Sequence, residues 1–226
     1  MVWSEETFKL VRDGIDAARK CRTVNLSSDW KKILEDRAKQ INIDNNFETS
    51  LNIVIFHVKV PHHATKISTP DIKGGDQSKI DYEGLLHFNI KTALWAEPNA
   101  RVIVLTDNEF IPTFEETERV KIVRLNLNSV EPMFERVVSM ASYVQSSCFS
   151  APTIFLDIDA FLIRPICDLF KSNFDIGLTH RHIVGQMSIN EGVIFAHIRN
   201  RDSVKKFFHS YLASYLAAEE SQEIKR

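Results

Sequence analysis

Four runs of apolar, mostly β-branched residues constrain this chain more than any other feature. They are Leu51-Asn-Ile-Val-Ile-Phe-His-Val58, Arg101-Val-Ile-Val-Leu-Thr-Asp107, Val120-Lys-Ile-Val-Arg-Leu125 and Pro152-Thr-Ile-Phe-Leu156. Runs this short and this continuous read as strands buried on both faces, the mark of a parallel sheet covered by helices. The segments between them carry the helical period instead. Leu85, Leu86, Ile90, Ala93 and Leu94 line one face of a helix expected over 82–96 and closed by Pro98. Met133, Phe134, Val137, Val138, Ala141 and Val144 do the same behind Pro132, which sits where a first helical turn tolerates it. Two more strands are expected around Phe174 to Leu178 and Gly192 to Ala196. A last helix over 202–218 presents Val204, Phe207, Phe208, Tyr211, Leu212, Tyr215 and Leu216. Strands alternating with helices predict a layered α/β domain with a mostly parallel central sheet.

Residues 1–48 have a different texture, helical and polar. Phe8, Val11, Ile15 and Ala18 recur at helical spacing, with acids first and Arg19, Lys20 and Arg22 last, as the helix dipole favours. A second helix opens after Ser27-Ser28 and is expected to carry Trp30, Ile33, Leu34, Ala38 and Ile41 on one face. The expected division is a helical N-terminal extension over 1–48 and a sheet domain over 49–226.

Composition removes several function classes. With 226 residues, 44% of them hydrophobic and 26% charged, the chain can bury a core. A net charge of −2 lacks the basic excess of a protein that wraps nucleic acid. There are only seven glycines, where average usage would give about sixteen. None of them builds the Gly-x-Gly-x-x-Gly turn or a P-loop, so a phosphorylated ligand would need a metal ion or basic side chains to neutralise it. Cys21, Cys148 and Cys167 are widely spaced and odd in number, which favours a reducing compartment over a disulfide framework. The start of the chain shows no signal-peptide pattern and no stretch has the length of a membrane span. The expectation is a cytoplasmic protein, with peripheral attachment to a membrane left open.

Chemistry concentrates at Asp157-Ile158-Asp159. The spacing alone is weak, since about one such pair is expected by chance in a chain of this composition. Its surroundings are stronger: Ile154-Phe-Leu156 precedes it and Ala160-Phe-Leu-Ile163 follows, so two acids interrupt a stretch that belongs in a core. Two buried carboxylates of like sign are costly unless they emerge at a strand end where something positive meets them. On extended backbone residues i and i+2 face the same way, and a carboxylate pair suits a hard divalent cation that keeps positions open for water and phosphate. The alternative is a pair that caps the strand with surface charge or pairs with Arg164.

The stretch Phe155-Leu-Asp-Ile-Asp-Ala-Phe-Leu-Ile-Arg-Pro, with Cys167-Asp-Leu-Phe170 after it, resembles the Asp-x-Asp block of GT-A-fold glycosyltransferases, the glycogenin-like and bacterial galactosyltransferase-like enzymes above all. Ile189-Asn-Glu-Gly-Val-Ile-Phe is similar to their Asn-x-Gly segment beside the donor sugar, and Arg136 stands upstream where they place a basic residue. The resemblance implies a GT-A-like fold and a metal-dependent transfer of sugar from a nucleotide-diphosphate sugar to a carbohydrate, lipid or protein acceptor. It implies that Asp157 and Asp159 hold Mn²⁺ or Mg²⁺ against the leaving diphosphate, with Glu191 beside them as a third catalytic residue. Arg136 would face the phosphates or steady the acids, unless it is a plain salt-bridge partner. Asn190 and Glu191 would meet sugar hydroxyls, and Gly192 would let the backbone approach; the alternative for this trio is an ordinary turn leading into a strand.

Three further candidates are weaker. His180, in His180-Arg-His182, would touch the metal, the diphosphate or the acceptor, or simply line a polar loop. His62 and His63 sit in a long polar loop expected over 61–81. Asp107 ends a strand on the edge where α/β sheets bind ligands, and would equally cap the next turn with Asn108. The family also draws a ligand or acid from beyond the Asn-x-Gly block, and nothing up to Arg226 matches it. That leaves a catalytically inactive sugar-nucleotide-binding or scaffold module as the second reading. A haloacid-dehalogenase-type phosphatase is a lesser one, because Phe161 stands where that motif wants Thr or Val.

Overall fold

The structure, a computed structural model, describes residues 25–43, 47–58, 81–129, 131–180 and 189–223. The expected helix carrying Phe8 to Ala18, the loop with His62 and His63, and His182 lie outside the described residues. The four apolar runs form strands β1 (Leu51–Phe56), β2 (Ala100–Asp107), β3 (Val120–Leu125) and β4 (Thr153–Leu156). With β5 (Ile176–His180) and β6 (Ile189–Ala196) they make one six-stranded sheet in the order β3-β2-β1-β4-β6-β5. β1 pairs in parallel with both β2 and β4, and β2 with β3. β6 runs antiparallel to β4 and to β5, so among the described strands it alone is reversed against the rest of the sheet. The mostly parallel α/β architecture read from the sequence is the architecture observed.

Two strands differ from their expected bounds. β5 begins two residues later than Phe174, and β6 begins at Ile189 rather than at Gly192. A register shift between Leu178 and Thr179 lets the pairing continue as Thr179↔Asn190 and His180↔Ile189. Asn190, Glu191 and Gly192 therefore belong to a strand and are not a turn leading into one.

Period-two alternation sends side chains to two separate cores. Ile53, Ile55, Val102, Val104, Ile154 and Leu156 face α2 (Tyr82–Ala96), which buries Leu86, Ile90 and Ala93 against them. Val54, Ile103, Leu105, Val123 and Phe155 face the opposite layer. That layer holds α1 (Ser28–Gln40), α3 (Pro132–Tyr143) and α4 (Arg201–Glu223). α1 opens as expected, with the Ser27 side chain accepting from Trp30 N, and it buries Leu34 and Ala38. Ile33 departs from the expected stripe and is exposed. The helix packs on the core, with Leu34 in one cluster with Val137 and Val138 of α3 and Arg37 2.6 Å from Glu135. Among the described residues no helix is long and apolar enough to cross a membrane.

α3 is the central helix of its layer. It buries polar Glu135, Arg136, Ser139 and Ser142 along with Val137, Val138, Met140 and Ala141. Only its first turn is open, so Met133 is exposed despite its place in the apolar stripe.

Candidate functional site

The sheet fixes where a ligand meets this fold. From β1 the chain steps outward to β2 and β3 on one side, while β4 lies on the other. The crevice beyond the carboxyl ends of β1 and β4 is thus the topological switch point, where open α/β sheets bind their ligands. Asp157 is the first residue after β4. The two acids emerge where the burial argument demanded.

Their geometry corrects the extended-backbone expectation. Asp157 N makes a last ladder bond to Gly192 O at 2.8 Å, and Ala160 N then bonds Asp157 O at 3.0 Å, closing a β-turn over 157–160. The turn is pinned from α2 by Asn89, fully buried, whose Nδ2 donates to Asp157 O at 2.9 Å and Ile158 O at 3.3 Å. In a turn the period-two rule lapses, and the two carboxylates part company. Asp157 is half-buried and points to a cation, while Asp159 is exposed and has no hydrogen bond or ion pair among the described residues.

That cation is Arg136, not Arg164. Its side chain is only 6% exposed, and Nη2 lies 2.8 Å from Asp157 Oδ1 and donates to Glu191 O at 2.6 Å. Nη1 stands 3.9 Å from Glu191 Oε2 and, although buried, makes no hydrogen bond. Glu191 Oε2 in turn accepts from the Tyr211 hydroxyl of α4. Burial first, and then the bonded Glu191 carboxylate, push the Tyr211 phenol far above its ordinary range, so it stays a donor. One buried guanidinium thereby ties β4, β6 and α4 together.

The structure thus brings Arg136, Asp157, Glu191 and Gly192 into one cluster, with Asp159 beside it. Of Asn190 only the backbone is described, on β6 opposite Thr179. His180 ends β5 on the same sheet edge and is exposed. Asp107 stands apart. β1 separates its strand from β4, which puts it about two strand spacings, ~10 Å, away. Its Oδ1 accepts from Glu109 N at 2.9 Å, so it closes the turn after β2, the alternative weighed for it, though with Glu109 in place of Asn108.

Sequence reasoning missed Asn89, Tyr211 and His57. His57 follows β1 at the same crevice, buried, with its ring 4.4 Å from Phe110 and Nδ1 3.4 Å from Thr106 Oγ1. Burial holds its pKa below the usual value against the opposing pull of Asp107. Asn89 and Tyr211 did leave a signal, a polar group on an otherwise apolar helical stripe.

Asp157, Asp159 and Glu191 share this edge with the Arg136 guanidinium. No group of three His, Cys, Asp or Glu side chains that would hold a metal forms among the described residues. The donor set fits a hard ion held by one or two carboxylates and completed by water or ligand oxygens, the manner of Mg²⁺ at phosphate sites.

The class defined by fold and site is an α/β protein with a carboxylate pair at the switch point of a mostly parallel sheet. No protein-family model matches the chain, and no curated protein matches it in sequence. Among solved structures it is similar to the glycosyltransferase GlyE of Streptococcus pneumoniae TIGR4. One GlyE structure matches 79% of this chain at 13% identity and TM-score 0.48. The apo form matches 78% at 16% identity and the same TM-score. The chain spans about two-fifths of GlyE, 40% and 39% in the two structures. A transferase mutant with two cysteine-to-serine changes matches 76% of this chain and 84% of its own, at 11% identity and TM-score 0.40.

Proposed function

We propose that this chain is a metal-dependent glycosyltransferase that moves a sugar from a nucleotide-diphosphate donor to an acceptor. The observation that carries the reading is the exposed Asp159, without a partner among the described residues, beside an Asp157 whose charge is met by Arg136. Asp159, with Asp157 behind it, would hold Mn²⁺ or Mg²⁺. The ion would supply charge neutralisation for the departing diphosphate.

This chain's own residues do the rest. Arg136 fixes Asp157 and the β6 backbone at Glu191, so the crevice keeps its shape without a ligand. Asn89 holds the 157–160 turn that presents Asp159. Asn190 and Gly192, on β6 beside Asp157, would meet the donor sugar, and His180, at the end of the neighbouring β5, would face the diphosphate or the acceptor.

Calorimetric titration of UDP, GDP and CDP, with Mn²⁺ and then with EDTA, tests the reading. At least one nucleotide should bind only with metal, and Asp159→Ala should abolish that binding without lowering the melting temperature. Metal-independent binding, or retained binding in Asp159→Ala, would refute the role of Asp159. The second reading is a module that binds the sugar nucleotide without turning it over. Hydrolysis of the bound donor separates the two, since only the transferase releases free sugar.

A further inference from the structure

Between β5, β6 and α4, on the face that also holds Glu191, lies a cavity of about 400 Å³. Cavities of this size accept small organic ligands. Its apolar walls are Leu178, Ile189, Ile194 and Phe207, and Glu191, Ser210, Tyr211 and Ser214 complete the lining. Leu178 and Ile189 keep 38% and 46% of their surface exposed. Two of the polar groups are engaged. The Tyr211 hydroxyl is bonded to Glu191 Oε2, and Ser214 Oγ to Ser210 O at 2.8 Å. Glu191 lines the cavity as well, and its Oε1 has no partner among the described residues.

We propose that this cavity is the acceptor subsite of the transferase, and that it takes an acceptor whose reacting hydroxyl is borne beside an apolar aryl or alkyl group. The proposal rests on the donor-site reading above. A bare sugar carries hydroxyls all round its ring and would leave most of them without partners against these walls. A hydroxyl beside an apolar group instead meets Glu191 Oε1 while its apolar part fills the cavity. Tyr211 holds the other carboxylate oxygen, with Arg136 Nη1 3.9 Å from it, which sets the direction of Oε1. In the transfer the acceptor oxygen bonds the anomeric carbon of the donor and gives its proton to Glu191. The bond from that carbon to the diphosphate oxygen breaks, and its electron pair leaves with the nucleoside diphosphate.

Ligand-observed NMR on the full chain, with phenyl β-D-glucopyranoside and methyl β-D-glucopyranoside as probes, tests this. The phenyl glycoside should bind about ten-fold more tightly, because only it buries an apolar ring. Ser214→Trp, which fills the cavity mouth from the exposed side of α4, should lower phenyl glycoside affinity at least to that of the methyl compound. Ile189→Glu, at a second exposed wall, should do the same, and thermal melts report that both variants fold. Equal affinity for the two glycosides, or folded variants that bind as the parent does, would overturn the proposal. Nucleotide binding without any aryl preference removes the acceptor subsite and leaves the donor reading intact. Aryl binding by a chain that takes no nucleotide overturns the donor reading, and the acceptor role with it.

Discussion

Replacing Arg136 by Met keeps the length and apolar bulk of the side chain and removes the charge. The guanidinium it deletes meets Asp157 Oδ1 at 2.8 Å, Glu191 O at 2.6 Å and Glu191 Oε2 at 3.9 Å. Deleting one member of a buried ion pair costs about 3–5 kcal/mol, because the other charge stays behind unpaired. Here the carboxylates of Asp157 and Glu191 are 34% and 35% exposed and Glu191 keeps the Tyr211 hydroxyl, so water and that bond recover part of the loss and the expected cost is about 2–3 kcal/mol. In a chain of 226 residues each kcal/mol moves the melting temperature by about 2–4 °C, which predicts a fall of about 4–12 °C. Arg136→Lys should fall in between. An ammonium keeps the charge, but a point donor does not span Asp157 and the β6 carbonyl as the planar fork does. The assay is a urea melt at neutral pH on Arg136→Met, Asp157→Asn and the double variant. If the pair is coupled, the double variant loses about 1–3 kcal/mol less than the two single losses together. Losses that add within about 0.5 kcal/mol would refute the reasoning, as would an Arg136→Met chain as stable as the parent.

Three other expectations follow from the same geometry. Asn89→Ala removes both side-chain bonds to the 157–160 turn and should cost about 1–3 kcal/mol in a urea melt, with weaker metal-dependent nucleotide binding. His57 is held below its ordinary pKa by burial, so the unfolded chain takes up its proton first as the medium is acidified. Stability from His57 is full above about pH 6.5 and is lost below it, and His57→Gln should lose less than the parent between neutral and mildly acidic urea melts. Tyr143 and Tyr211 are both raised, chiefly by burial, so their phenolate absorbance should appear only with unfolding. Stability from each is full below about pH 10 and falls as the pH rises past it, and Tyr211→Phe should make that alkaline fall shallower.

The sheet was legible because burial on both faces leaves a continuous apolar run, and β1 to β4 sit on those runs within a residue or two. β5 was misplaced by two residues for the opposite reason. It is an edge strand with no fully buried residue, so its composition marks no boundary. β6 was cut short at Gly192 because glycine reads as punctuation, whereas here the bulge in the β5 pairing absorbs the irregularity and carries the strand back to Ile189. The apolar stripe of α1 included Ile33 on spacing alone, and spacing does not say which edge of a stripe the neighbouring helix covers.

The site was legible where a polar residue interrupts an apolar period, and opaque where its partner had to be named. Asp157 and Asp159 interrupt a buried run, Glu191 interrupts β6, and Arg136 sits in a stripe of Val, Met and Ala. Asn89 obeys the same rule, one turn beyond Leu86 on the buried face of α2. Burial of such a residue has to be compensated, so each one advertises a partner. The pattern along one segment does not name that partner, which lies 55 residues away for Arg136 and Glu191 and 68 for Asn89 and Asp157. α3 shows the limit most clearly. Glu135 and Arg136 are adjacent, both buried and opposite in charge, yet they do not serve each other. A step of one residue on a helix turns the side chain by about 100°, so Glu135 meets Arg37 of α1 while Arg136 meets Asp157 and Glu191 at the sheet edge. Only the packing of α3 between its neighbours decides which of two adjacent charges holds the fold and which shapes the crevice.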